Sequence, residues 1–191
     1  MKRDCEQRRI HNMTEFEKFQ REDTMTEFEK FQQVIARLRA EDGCPWDREQ
    51  THASLKPACI EEAAEVICGI NIFEETGNAE NLQEELGDLL LQVVMHAQIA
   101  EEEGLFTMDD VIRGVNEKMV RRYPHVFGNA IANTSGEVLT KWEEIKAQEK
   151  IGKEPTDEYL PAAFEESKEL IEVAKRRKEE KRKKKQELSE M

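Results

Sequence analysis

Two mostly apolar segments of the sequence, residues 59–70 and 84–94, carry six carboxylates at matching spacing. These are Glu61, Glu62 and Glu65 in the first segment and Glu84, Glu85 and Asp88 in the second. On a helix, residues at i, i+3 and i+4 share a face, so Glu61, Glu62 and Glu65 project together, and Glu85 and Asp88 share a face of the second helix. Grouped carboxylates repel one another unless a cation neutralises them. Because ligands that are all oxygen favour Mg²⁺ or Mn²⁺, the spacing predicts a divalent-metal site.

A solvent-exposed charged face is the alternative, and from the residues alone it stays open for Glu61 and Glu84. Asp88 differs because apolar residues surround the helix that carries it, and a helix that is apolar all round is buried. A buried carboxylate without a partner costs several kcal/mol, and between Lys56 and Lys118 Arg113 is the only lysine or arginine. A bound cation is therefore the favoured partner of Asp88.

A redox di-iron centre would also place carboxylates on facing helices, but it needs Glu-x-x-His on two of them. His96 has no glutamate three residues before it. The sequence therefore argues against this class of site. It contains neither a glycine-rich phosphate loop nor a nucleophile–histidine pair, so a covalent mechanism is not expected.

The charge distribution constrains the partners. The 191 residues carry a net charge of -13, although nine of the eleven residues at 175–185 are basic. The rest of the chain is therefore strongly acidic and repels nucleic acid. An anionic substrate would need a positive ion between itself and the carboxylates, which a divalent metal supplies.

The cysteines and the hydropathy pattern indicate a cytoplasmic protein. Four cysteines show no Cys-x-x-Cys pair and no zinc spacing, so we interpret them as reduced thiols. No apolar run approaches the about 18 residues that a membrane span needs. The basic N-terminus lacks the apolar stretch of a secretory signal.

The elements that must position the carboxylates are helices, because helical periodicity recurs and alternating β-branched runs are absent. We expect an all-α fold. The predicted helices cover 26–40, a short piece at 51–55, 57–74, 79–103, 107–122, 137–150 and 161–187. Asn78 and Thr107 are predicted caps, and Gly87 would let another helix approach closely.

The octapeptide MTEFEKFQ occurs at 13–20 and again at 25–32. On one straight helix, a step of twelve residues rotates the face by about 120°. The two copies therefore cannot both pack the same stripe on the same partner. The second copy continues into the core pattern. We therefore predict that residues 1–25 are a dispensable extension with a partial duplication, that 26–150 form the domain, and that 151–191 form a charged helical tail.

Over residues 26–150 the sequence resembles the all-α nucleoside triphosphate pyrophosphohydrolases, and within them the MazG family. The resemblance rests first on the motif Glu-Glu-x-x-Glu, which is followed after nineteen residues by Glu-x-x-Asp. It rests also on the segments GCPWD at 43–47, RRYPHVFG at 121–128 and KWEEIKAQEK at 141–150. The resemblance implies a helical bundle whose four-helix core is completed by oligomerisation, as a homodimer or a dimer of dimers.

The resemblance also implies residue roles. It assigns Mg²⁺ binding to Glu62, Glu65, Glu85 and Asp88, orientation of water or a second ion to Glu61, phosphate binding to Lys118 and Arg122, and nucleotide contacts to Trp142 and Lys146. Glu61, Glu62, Lys118 and Arg122 form the expected catalytic set. The segment around Trp142 is so polar that a buried ring would lack neighbours, which favours base stacking or a subunit contact.

The implied reaction is hydrolysis of nucleoside triphosphates to nucleoside monophosphate and pyrophosphate. It would use Mg²⁺, with Mn²⁺ as a substitute, and serve to clear unwanted nucleotides from the pool. Two alternatives remain from the residues alone. One is a catalytically silent helical module acting through its charged tail, and the other is a nucleic-acid binder acting through Lys175–Lys185.

Overall fold

A computed structural model of the chain describes residues 25–151 and 158–189. Within these ranges every regular element is a helix and no residue forms a strand, which confirms the predicted all-α class. The described helices are α1 (Glu27–Arg39), α2 (Pro45–Glu49), α3 (Lys56–Thr76), α4 (Glu80–Glu102), α5 (Met108–Arg122), α6 (Pro124–Phe127), α7 (Ser135–Lys150) and α8 (Leu160–Ser189).

The chain forms two compact units, one ending at Gln50 and the other beginning at Thr51. Helices α1 and α2 belong to the first unit and α3 to α8 to the second. The first copy of the octapeptide, at 13–20, lies outside the described residues, while the second copy forms the start of α1. The proposed boundaries at residues 26 and 150 stay predictions.

In the first unit, α1 begins with a capping box. The Thr26 hydroxyl accepts a hydrogen bond from the Glu29 amide at 3.2 Å, and the Glu29 carboxylate accepts one from the Thr26 amide at 2.8 Å. Ile35 is fully buried, as the predicted apolar stripe requires. The Arg39 guanidinium donates to the carbonyl of Asp47 and so fixes α1 against α2.

Helices α3 and α4 form an antiparallel hairpin, which is the most extensive helix pair of the second unit. Gly77 ends α3 with a left-handed φ of 74°, a conformation that glycine adopts without steric cost. The Asn78 side chain accepts a hydrogen bond from the Glu80 amide at 2.9 Å, but the N-cap residue of α4 is Ala79, one position after the cap predicted from the sequence.

The two helices of this hairpin approach closely at Gly69. A Cβ atom built there would lie 2.8 Å from the Cα of Leu82. A Cβ at Gly87 would meet no atom within 4 Å among the described residues. The prediction that Gly87 admits a neighbouring helix is therefore wrong within the described chain, where Gly69 has that role.

Helix α4 is buried along only part of its length. Its C-terminal half supplies the core, with Val94, Met95, Ala97, Ile99 and Ala100 all buried. Its N-terminal half exposes Leu86, Leu90 and Val93, at 51%, 39% and 40% of their surface. The predicted burial on all sides is wrong for this half, and Asp88 is half-buried. A continuous apolar stripe on α4 is thus left open.

In the second unit α5 packs on α4 and α8 packs on α3, while α6 and α7 pack on α5. Thr107 caps α5, since the Asp110 amide donates to its hydroxyl at 3.3 Å and the Asp110 carboxylate accepts from its amide at 2.9 Å. Helix α8 runs along α3, where the Lys56 ammonium lies 2.9 Å from the Glu166 carboxylate. Among the described helices, none combines the length and the hydropathy needed to cross a membrane.

Candidate active site

The hairpin brings carboxylates from both of its helices together. Glu62 and Glu65 of α3 and Glu85 of α4 each offer an oxygen, and these oxygens lie within 4.8 Å of one another. Glu85 is buried, and its Oε1 accepts a hydrogen bond from the Asn81 amide nitrogen at 2.9 Å. Three of the four predicted metal ligands therefore converge on one point.

Asp88 and Glu61 lie near this group and add to its negative charge. The pKa of the Glu62 carboxyl is raised, first by burial and then by the charges of Glu65, Asp88, Glu61 and Glu85. These neighbours oppose ionisation of Glu62, and a bound cation would relieve that repulsion. The oxygen-only donor set suits a hard divalent cation. The five carboxylates are called the acidic cluster below.

The predicted phosphate-binding residues lie on α5. Arg122 is half-buried, and its guanidinium lies 2.6 Å from the Glu149 carboxylate of α7. Arg121 lies 2.6 Å from the other oxygen of Glu149. Lys118 is half-buried one turn before Arg122. Among the described residues, no hydrogen bond or ion pair connects Lys118 or Arg122 to the acidic cluster.

The predicted nucleotide-contacting residues lie on α7. Trp142 packs edge-on against Tyr123, with ring centroids 5.0 Å apart, and the Arg122 guanidinium lies 4.9 Å above its ring. The expectation that Trp142 would lack neighbours is therefore wrong, because the segment between α5 and α6 supplies an aromatic partner. The Lys146 ammonium lies 3.6 Å from the carboxylate of Glu143 on the same helix.

A histidine–cysteine cluster ties the start of the second unit to the hairpin. The Nδ1 atoms of His52 and His96 are 2.7 Å apart, and the two rings are parallel. The Cys59 sulfur lies 3.3 Å from Nε2 of His96. Burial raises the pKa of the Cys59 thiol and lowers that of His96. Both shifts favour the uncharged forms of Cys59 and His96.

Basic residues of α8 reach the acidic cluster, a contact that no spacing in the sequence predicts. The Lys178 ammonium contacts the Glu65 carboxylate and lies 3.4 Å from that of Glu61. The Arg177 guanidinium lies 3.9 Å from Glu61. The hydrogen bond with Glu65 raises the pKa of Lys178. The run of basic residues at 175–185 was the available signal, although sequence spacing does not reveal its partner.

A cavity of about 600 Å³ lies between α3, α4 and α8. Its lining combines apolar side chains with the charged groups just described. The lining residues are Ile60, Glu61, Ala64, Glu65, Cys68, Ile72, Asn81, Glu85, Ile171, Ala174, Lys175 and Lys178. Its volume falls in the usual range of small-molecule sites, about 300–1,000 Å³.

The fold and the site define an all-α domain with a carboxylate centre suited to a divalent ion. Residues 50–127 match the model of the MazG nucleotide pyrophosphohydrolase domain. Over residues 50–127 the chain is therefore similar to the MazG family, which agrees with the resemblance seen in the sequence.

Two of three relatives with high identity carry names that agree with this family. The nucleoside triphosphate pyrophosphohydrolase/pyrophosphatase MazG of Thermotoga maritima is 54% identical over 117 residues, which are 61% of this chain and 43% of that protein. The nucleoside triphosphate pyrophosphohydrolase of Escherichia coli K12 is 46% identical over 121 residues, covering 63% and 44%. YabN of Bacillus subtilis, named as uncharacterized, is 53% identical over 117 residues, covering 61% and 23%. The matched part thus spans less than half of each of these relatives.

Proposed function

We propose that the chain hydrolyses nucleoside triphosphates to nucleoside monophosphate and pyrophosphate with the help of Mg²⁺, for which Mn²⁺ can substitute. The observation that carries the proposal is the convergence of the Glu62, Glu65 and Glu85 carboxylates within 4.8 Å. The family match and the names of the relatives support the same chemistry. In this reaction water attacks the α-phosphorus, the bond to the bridging oxygen breaks, and pyrophosphate leaves.

The acidic cluster provides the residues that this reaction needs. Glu62, Glu65, Glu85 and Asp88 would hold the ion, which when bound supplies a positive centre for the triphosphate oxygens and lowers the pKa of bound water. Glu61 would orient the water or hold a second ion.

Residues of α5 and α7 complete the proposal. Lys118 and Arg122 are proposed to neutralise charge on the phosphates, as cations do in other phosphoryl transfers. Trp142 and Lys146 are proposed to contact the nucleotide. Because Arg122 is paired with Glu149, substrate binding would have to compete with this ion pair.

The test is pyrophosphate release from a panel of nucleoside and deoxynucleoside triphosphates, with orthophosphate scored separately. Mutation of a residue that only hydrogen-bonds to a metal ligand already lowers metal affinity or activity by about 10–100-fold. We therefore expect Glu62→Gln and Asp88→Asn to lower turnover by at least about 100-fold. Glu84→Gln is the matched control, because Glu84 is an exposed carboxylate on α4. Far-UV circular dichroism should be unchanged in all three variants.

Full activity of Glu62→Gln or Asp88→Asn would overturn the assignment of the metal ligands. A wild-type chain that releases no pyrophosphate from any triphosphate would favour the silent interaction module. Orthophosphate as the first product would place the cleaved bond elsewhere in the triphosphate.

We further propose that the chain works as a homodimer or a dimer of dimers. The exposed apolar stripe of Leu86, Leu90 and Val93 on α4 supports this, together with Ile67 of α3, which is 60% exposed. A second copy would remove this surface from water. The proposed chemistry fits the clearing of unwanted nucleotides in the cytoplasm. The free thiols of Cys44, Cys59 and Cys68 fit the same compartment, because thiols stay reduced there.

A further inference from the structure

The basic residues that contact the acidic cluster come from α8. Lys178 contacts Glu65 and lies 3.4 Å from Glu61, and Arg177 lies 3.9 Å from Glu61. Arg122 is engaged with Glu149 instead. Within the part of the chain that the structure describes, the ion pairs that neutralise the cluster come from α8. A negatively charged ligand at this site would therefore find the cations of α8 beside the carboxylates.

The same helix forms one wall of the cavity beside the carboxylates. Lys175 and Lys178 line it from α8, and Glu65 and Glu85 line it from the hairpin. Apolar side chains complete the wall. This arrangement places the ammonium of Lys178 directly beside the carboxylates that line the same cavity, so a metal–polyphosphate bound there would lie within reach of both.

The position of Glu61 explains how Lys178 and a divalent ion are accommodated together. Glu61 lies outside the convergent group of Glu62, Glu65 and Glu85, yet its carboxylate lies 3.4 Å from the Lys178 ammonium. If Glu65 were to bind the ion, Glu61 would still lie 3.4 Å from the ammonium and keep it at the site. A lysine beside a metal-bound phosphate makes a charge-assisted hydrogen bond to it.

We propose that α8 is a phosphate-binding element of this site, in which Lys178 binds the phosphates of the substrate and Glu61 positions Lys178. The proposal rests on the proposed function for the nature of the substrate. It extends the site beyond residues 50–127, the part that matches the family. Helix α8 is held in place by the ion pair of Lys56 with Glu166, at 2.9 Å, and by contacts along α3.

The test measures binding rather than turnover. Inorganic tripolyphosphate is titrated into the full chain by calorimetry, in the presence of Mg²⁺ and at low salt. A charge-assisted hydrogen bond to a half-exposed lysine is expected to change the affinity by about fivefold to tenfold. Lys178→Met should therefore bind tripolyphosphate about fivefold to tenfold more weakly, and Lys178→Arg should keep most of the affinity.

Lys183→Met is the matched control. Lys183 lies on the same helix, and its ammonium is 3.3 Å from Glu179 of that helix. Its loss should leave the affinity unchanged. Glu61→Gln should weaken binding in the same direction as Lys178→Met, because the ammonium then loses its holding carboxylate. Raising the salt concentration should reduce the difference between wild type and Lys178→Met.

Equal affinity of Lys178→Met and wild type would overturn the inference, as would the absence of tripolyphosphate binding to the wild type. Tighter binding by Lys178→Met would overturn it as well, because Lys178 would then only compete with the metal ion. The proposed function is judged separately, by pyrophosphate release in Glu62→Gln. If the wild type releases no pyrophosphate but Lys178→Met binds tripolyphosphate more weakly than the wild type, the inference about Lys178 stands and the proposed enzymatic function is refuted.

Discussion

Gly69→Ala tests the close approach of α3 and α4 that brings the carboxylates together. In a helix interior, glycine is about 1 kcal/mol less favourable than alanine, so the substitution gains about that amount where space is open. At Gly69 the new Cβ would lie 2.8 Å from the Leu82 Cα and 3.1 Å from its nitrogen. Carbon atoms prefer separations of about 3.5–4.0 Å. Both contacts are with backbone, so the helices must move apart.

The magnitude follows from a comparison with Gly114→Ala. Gly114 lies inside α5, and a Cβ there meets no described atom within 4 Å. Both variants gain the same helix propensity, so their difference isolates the steric term. Overpacking a tight contact costs about 1–3 kcal/mol. We therefore expect the free energy of unfolding of Gly69→Ala to be about 1–3 kcal/mol below that of Gly114→Ala.

The same change should weaken metal binding. Separation of the helices moves Glu62 and Glu65 away from Glu85, whereas ligand oxygens must lie about 2.0–2.6 Å from Mg²⁺ or Ca²⁺. A ligand that binds only the native state raises its stability, so Mg²⁺ should raise the melting temperature of Gly114→Ala more than that of Gly69→Ala. The assay is urea and thermal unfolding of both variants, with and without Mg²⁺. Equal stability of the two variants would refute the close approach at Gly69.

Two further predictions concern the α5–α7 contact and the exposed stripe. Hydrogen bonds from Arg122 and Arg121 lower the pKa of Glu149 to about 2. Its stabilising contribution should therefore be full above its ordinary pKa of 4.5 and disappear as the pH falls through about 2. In urea unfolding over a pH series, Glu149→Gln should have a lower free energy of unfolding than wild type at pH 7, and the two proteins should be equally stable below about pH 2. A difference in free energy that does not vary with pH would contradict this. Leu90→Glu, in the middle of the apolar stripe of α4, should shift the sedimentation coefficient to that of a monomer, and an unchanged oligomer would place the interface elsewhere.

Local features of the sequence predicted the long helices, whereas the short helix expected at 51–55 is a turn and the short helices α2 and α6 were not predicted. Thr26 and Thr107 begin helices with the capping geometry that their side chains suggest, and glycine follows α3 where the predicted turn lies. The i, i+3 and i+4 rule also predicted which carboxylates share a face. These successes depend on interactions within one or two helical turns.

Interactions between helices were harder to predict. The choice between Gly69 and Gly87 depends on which faces of α3 and α4 meet, and both helices carry apolar residues on several sides. Lys178 is 113 residues away from Glu65 in the sequence, so no spacing rule connects them. The neighbours of Trp142 come from a segment outside its own helix. The assigned roles of Lys118, Arg122, Trp142 and Lys146 stay predictions.

The three-residue connection between α3 and α4 has a consequence for how the chain folds. Glu62 and Glu85, which the structure brings together, belong to a single helical hairpin closed at Gly77. The entropy lost when a chain closes on itself grows with the length of the loop, and contacts between residues close in sequence form fastest. The carboxylate pair can therefore assemble early, before more distant parts of the chain have docked.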